Sequence, residues 1–217
     1  MQKATRNRWL LGSILLVTFL LWTFVLQHVD VAAVGPQDSV VGLSTINAAF
    51  HHLTGVHMGL YVITDWLGLV PIATVLFFAT LGLVQWIKRK SLRKVDRSLL
   101  ILGGFYIVVM AAYILFEYIV INYRPVLISG YLEASYPSST TMLVLCVAPT
   151  AILQLRQRIR HRRLMIVMHL LIAAFTVFMV FGRLICGVHW LTDIIGGILL
   201  SSGLVLLYDG VVRTIGE

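Results

Sequence analysis

The stretch Gly182-Arg-Leu-Ile-Cys-Gly-Val-His-Trp-Leu-Thr-Asp193 holds three side chains that together suit phosphoryl chemistry. His189 and Asp193 are one helical turn apart, so on a helix they share a face. A carboxylate beside an imidazole fixes its tautomer and supports its positive form, the orienting role in hydrolytic triads. Arg183 adds a planar guanidinium whose fork matches phosphate oxygens. An isolated His–Asp pair inside an apolar run more often joins helices than does chemistry, and the nearby Arg183 is what weighs toward a site. Two further clusters are polar in the same way. One is Tyr123-Arg124-Pro125, downstream of Glu117. The other is Tyr136-Pro-Ser-Ser-Thr-Thr141, where proline and hydroxyl residues suit a helix N-terminus. Free N–H groups at such an end make an anion site, although Pro-Ser-Ser alone reads as an ordinary helix cap.

Long apolar runs must carry these clusters. They lie at 9–26, 66–87, 98–116, 136–155, 164–182 and 190–208, each close to the roughly 20 residues a bilayer core requires. The fourth carries Pro149 and the sixth carries Asp193 near its start. The expected fold is therefore all-α, a polytopic membrane protein of six transmembrane helices forming one domain over residues 1–217. Of the 17 Lys and Arg residues, all but Arg124 and Arg183 fall in clusters on one side of this arrangement. Basic segments stay cytoplasmic during insertion, so both termini are expected in the cytoplasm and the three polar clusters outside. The net charge of +8 is then mostly topology. It requires no nucleic-acid partner, and basic loops also suit anionic head groups. The first run is longer than a signal-peptide core and is read as an uncleaved helix. Between the first two helices, Leu43, Ile46, Phe50 and Leu53 recur at helical spacing, with Gly55 as a left-handed stop. That pattern predicts a short outward amphipathic helix; a packed loop fits the spacing equally well. Cys146 and Cys186 form no secreted disulfide framework.

Taken together, the three clusters resemble the type 2 phosphatidic acid phosphatase superfamily. Its signature is Lys-x6-Arg-Pro, then Pro-Ser-Gly-His, then Ser-Arg-x5-His-x3-Asp. Arg124 and Pro125 meet the end of the first motif, Pro137 and Ser138 the start of the second, and Arg183, His189 and Asp193 the third. The resemblance implies that His189 is the nucleophile, passing through a phosphohistidine, and that Asp193 orients it. It implies that Arg124 and Arg183 hold phosphoryl oxygens, with Ser138 and Ser139 adding hydrogen bonds. The departures are Glu117 for the first-motif Lys, Ser139 and Thr140 for the second-motif Gly and His, and Gly182 for the third-motif Ser. In the family the second-motif His protonates the leaving oxygen. A Thr hydroxyl cannot do so at neutral pH, and losing a general acid costs about 10²–10⁴ in rate. Seven residues would set Glu117 and Arg124 on one helix face if the helix ran that far.

The resemblance implies hydrolysis of a lipid phosphate or diphosphate at the outer membrane face, without metal or cofactor. The substrate and the bilayer are the implied partners. A diphosphate suits Thr140 best, because a lipid monophosphate leaves more readily than an alkoxide, and a polyprenyl diphosphate is an example. Two alternatives stand beside it: a pseudophosphatase that binds lipid head groups without turnover, and a transporter or scaffold on the same fold. His51, His52 and His57 offer a substitute acid from the first outward loop. His169, inside the fifth run, reads as a packed histidine.

Overall fold

The computed structural model describes residues 3–216. Eight helices follow one another: α1 (Lys3–His28), α2 (Ser44–Thr54), α3 (Met58–Leu67), α4 (Leu69–Arg89), α5 (Arg97–Tyr118), α6 (Ser139–Arg158), α7 (Arg162–Ile185) and α8 (Leu191–Gly216). Among the described residues, the strands are one antiparallel pair, β1 (Ala32–Ala33) and β2 (Val40–Val41), just after α1, and single antiparallel bridges join Tyr123 to Ala134 and Ile128 to Tyr131. Six segments are long and apolar enough to cross a membrane, with α3 and α4 together forming the second, Met58–Arg89. The chain is thus an integral membrane protein. Side chains such as Leu20, Leu76, Ile107 and Leu170 are exposed, as a lipid-facing surface requires.

The innermost helices are α6 and α8, and α1 packs along α8. The buried residues of α1 are Thr5, Gly12, Phe19 and Leu26, a heptad stripe along one face. Gly12 and Gly203 allow the close approach. A Cβ on Gly12 would lie 3.1 Å from the Gly203 carbonyl oxygen, and one on Gly203 would lie 3.2 Å from that of Gly12. Small residues let helix backbones meet in this way where lipid supplies no hydrophobic drive.

The basic clusters sit at one end of the bundle, at the start of α1, the α4–α5 connection, the α6–α7 connection and the end of α8. The polar clusters sit at the other end, where α5 stops, α6 starts, and α7 hands over to α8. Two of the boundaries that differ from the sequence expectation bear on the polar clusters. The second span begins at Met58, because Asp65 is carried inside a helix instead of ending it. A carboxylate persists in such a segment when it has a partner, and Arg183 is that partner. The fifth helix, α5, stops at Tyr118, so Glu117 and Arg124 share no helix face. Arg124 instead lies in the segment 119–138 and pairs with Glu133.

α2 occupies the predicted position, and Gly55 ends it at φ 68° with its N–H on the His51 carbonyl. Its N-terminus is held from outside the helix, with Asp30 accepting from the Thr45 N–H and the Ser44 hydroxyl. Ser44 and Asn47 are its buried residues, while Ile46 and Leu53 are exposed. Asn47 donates to the Gly42 carbonyl and the Thr192 hydroxyl, which ties α2 to the start of α8. Cys146 and Cys186 are both free and buried.

Candidate functional site

His189 stands in the short connection between α7 and α8, which turns at Gly187 with φ 72°. The turn packs closely. A Cβ on Gly187 would meet the Gly55 carbonyl oxygen at 2.1 Å, so the end of α2 presses on the loop that carries His189. Asp193 lies in the first turn of α8, wholly buried, and accepts from the Trp190 N–H at 2.8 Å. The His189 Nδ1 is 3.7 Å from Asp193 Oδ2, longer than a hydrogen bond but on the facing side. Nε2 faces the other way, 3.4 Å from Arg124 Nη1. A guanidinium has only donors, so Nε2 is the accepting nitrogen and the proton belongs on Nδ1, toward Asp193. This tautomer leaves a lone pair on Nε2 beside a fixed positive charge.

Burial pushes the His189 imidazole down from 6.5 to about 4; Asp193 opposes the shift, and the charges of Arg124 and Arg183 add to it. The ring is therefore neutral at physiological pH, as a nitrogen nucleophile must be. An unfolded chain takes up this proton near pH 6.5, before the folded chain does. Stability from the neutral ring is complete above about pH 6.5 and is lost as pH falls toward 4. Thermal unfolding followed from pH 7 to pH 4 should therefore show a steeper loss for the parent than for His189→Ala. Parallel curves would mean that His189 is not held neutral by burial.

Arg183, in the last turn of α7, is 2% exposed. Its Nη2 donates to Asp65 Oδ1 at 2.8 Å and to the Thr140 hydroxyl at 2.7 Å, and its guanidinium lies 5.0 Å from the Tyr61 ring centre. Its Nε and Nη1 have no protein partner. Thr140 thus holds the arginine at the position where the resemblance expects an acid. Gly182 explains how Asp65 gets there. A Cβ on Gly182 would lie 2.7 Å from Thr64 Cγ2, so the absent side chain lets α3 lie close against α7 and brings Asp65 to Arg183.

Ser138 precedes α6 and is fully buried; its N–H donates to the Asp193 carbonyl and its hydroxyl has no partner. Ser139 opens α6 and lines a cavity of about 280 Å³ together with Arg124, Glu117, Glu133 and His189. The N-terminus of α6 brings unpaired N–H groups to this end of the bundle. Of the motif positions, Arg124, Glu117, Ser139 and His189 line this cavity, Ser138 and Asp193 bond each other through the backbone, Arg183 and Thr140 bond each other at the start of α6, and Gly182 acts through helix packing. Glu117 lines the cavity but makes no ion pair with Arg124, contrary to the helix-face expectation. The loop histidines do not line this cavity, although His51 packs against the loop that carries His189. His51 meets the Gly187 carbonyl and the Trp190 ring, and His57 meets the Thr54 carbonyl. His169 sits near the basic end, bonded to Arg156 and the Met165 carbonyl.

Three residues escaped the sequence reading. Asp65 and Glu133 pair with the two arginines, and buried Asn122 reaches Asp193 Oδ1 at 3.5 Å and the Gly42 N–H at 3.4 Å. For Asp65 the available signal was a carboxylate beside an apolar run. Glu133 and Asn122 carried none.

A family model for the PAP2 superfamily matches residues 70–214. The chain belongs to the PAP2 superfamily. That span runs from the start of α4 into α8 and holds Arg124, Ser138, Arg183, His189 and Asp193, while Tyr61 and Asp65 on α3 lie before it. The fold of this chain has a solved counterpart. It is similar to the first transmembrane PAP2 type phosphatidylglycerolphosphate phosphatase from Bacillus subtilis, with a TM-score of 0.56 and 20% identity over 94% of this chain and 96% of that one. No curated protein matches the chain.

Proposed function

We propose that this PAP2 protein is a membrane lipid phosphatase that works through a phosphohistidine on His189. The supporting observation is the orientation of the ring, with Nε2 toward Arg124 and Nδ1 toward Asp193. In this reading Nε2 attacks phosphorus, the P–O bond to the lipid breaks, and the leaving oxygen takes its proton from water. Asp193 stabilises the imidazolium that forms. Water then attacks phosphorus, the P–N bond breaks, and inorganic phosphate departs. Arg183 Nε and Nη1, the Ser138 hydroxyl and the α6 N-terminus supply donors for the phosphoryl oxygens. An apolar cavity of about 440 Å³ between α4, α5 and α6 reaches Asp65 and Thr140, which gives a lipid tail room beside the site.

The site end is read as outward, because the basic clusters occupy the opposite end. A cysteine introduced near Glu133 should react with an impermeant reagent from outside, and one near Arg160 should not; the reverse pattern would overturn the orientation. The carboxylates on both arginines favour the second reading, a site that binds head groups without turnover. Phosphate release by purified protein across a panel of lipid monophosphates and diphosphates separates the two. Release that depends on His189 supports the hydrolase, and saturable binding without release supports the pseudophosphatase. The leaving-group argument on Thr140 places diphosphates first in that panel.

A further inference from the structure

The cavity beside His189 adjoins the apolar cavity at the start of α6, and the two share Tyr113, Ser139 and Met142 as lining. His189 lines the first, and Asp65 and Thr140 line the second. A phosphoryl group held at this junction has the His189 ring on one side. On the other side it has the lipid tail and the Asp65 carboxylate.

Displacement at phosphorus runs in line, with the entering and leaving atoms on opposite faces. In the first step Nε2 enters and the lipid oxygen leaves toward the tail cavity. In the second step His189 is the leaving group, so water enters where the lipid oxygen left. That position is on the Asp65 side, whereas Glu117 and Glu133 line the cavity on the His189 side. Water attacks faster when a positioned group takes its proton. Asp65 Oδ1 accepts from Arg183 Nη2 at 2.8 Å, and among the described residues its Oδ2 has no hydrogen bond. The Thr140 hydroxyl accepts from the same nitrogen at 2.7 Å, so carboxylate and hydroxyl stand side by side at the junction. The hydroxyl keeps its proton at neutral pH, and the carboxylate is free to take one. The Asp65 side chain is 59% exposed at the polar end of the bundle, which lets the proton pass on to solvent.

We infer that Asp65 is the general base of the second step, an assignment that rests on the hydrolase reading. One proton of the attacking water moves to Asp65 Oδ2 as the water oxygen bonds to phosphorus. The P–N bond breaks, and its electron pair returns to His189 Nε2. Inorganic phosphate departs, and Asp65 gives the proton to solvent. The first step has no use for this base, so the two steps depend on Asp65 to different extents.

The test measures the two steps separately. The substrates are a long-chain alkyl diphosphate labelled in its terminal phosphoryl group and the matching labelled alkyl phosphate. Rapid quenching in base gives the phosphohistidine level, and phosphate release gives turnover. Asp65→Asn should slow the loss of label from His189 by about 10²–10⁴, the usual contribution of a positioned base. Formation of label should fall far less, so phosphohistidine accumulates to a level the parent does not reach. Asp65→Ala should behave alike, and added formate should speed its loss of label in proportion to concentration, because a small carboxylate fits the place of the one removed. Thermal unfolding of both variants serves as the control for folding. A loss shared equally by both steps, without accumulation, would leave Asp65 as an anchor for Arg183 and overturn the assignment. So would parental rates in Asp65→Asn, or accumulation in Asp65→Ala that formate does not relieve. A parent protein that labels no histidine and releases no phosphate from either substrate would remove the hydrolase reading and the base with it.

Discussion

His189→Ala should abolish phosphate release, because no other side chain in the cavity presents a neutral nitrogen beside Arg124. Asp193→Asn should retain the fold and lose about 10⁴ in kcat, the scale seen when the orienting carboxylate of a triad becomes an amide. The local geometry explains why. The Asp193 Oδ2 already accepts from the Trp190 N–H, and the same oxygen faces His189 Nδ1. An amide turned to keep the Trp190 bond presents its NH₂ elsewhere, and one turned to face Nδ1 with nitrogen inverts the tautomer. Either outcome moves the lone pair away from Nε2 or removes support for the imidazolium. Steady-state rates with any accepted lipid phosphate, alongside a thermal-unfolding control, check both variants. An Asp193→Asn protein with near-parental kcat would show that Asp193 serves packing, through Trp190 and Ser138, and nothing more.

Arg183→Ala should lower kcat by about 10²–10³, the usual cost of removing one donor aimed at developing charge. Arg183→Lys should recover little of it, since an ammonium cannot reproduce a fork that binds Asp65 and Thr140 through Nη2 and keeps Nε and Nη1 for a ligand. Asp65→Asn separates anchoring from binding. It keeps the contact without the charge, so a rise in phosphate affinity with a fall in kcat would mark Asp65 as the residue that aims the guanidinium. Arg183→Ala also takes the partner from Asp65 within the second span and empties the place of a fully buried side chain, so its rate is read beside a thermal-unfolding control. Parental kcat in Arg183→Ala would remove this arginine from the phosphoryl site.

Much of this was legible in the sequence wherever the information is local. Six apolar runs and the segregation of Lys and Arg are short-range patterns that the fold keeps, while the four-residue spacing sets His189 beside Asp193 from the connection before α8 and not from the helix itself. What the sequence hid is long-range or depends on where a helix stops. Asp65 and Arg183 are 118 residues apart in the chain and meet only because α3 packs on α7, and a charge inside an apolar run looks like a boundary until its partner is known. The end of α5 at Tyr118 decides that Arg124 turns to Glu133 instead of Glu117. The β-branched run Ile119-Val-Ile121 was a hint of that stop. Gly182 looked like a lost hydroxyl. Its meaning is the close contact with Thr64, which spacing along the chain does not reveal.

The most direct measurement of the central claim is to trap the covalent intermediate. Purified protein is mixed with a lipid phosphate labelled in its phosphoryl group, quenched in base within the first turnover, and digested for mass spectrometry. Phosphohistidine survives base and is lost in acid, so the two quenches should differ. The account predicts a base-stable, acid-labile phosphoryl group on His189, absent from His189→Ala and accumulating in any variant slowed in its second step. Label on another residue, or turnover that proceeds with no labelled protein at any quench time, would contradict it.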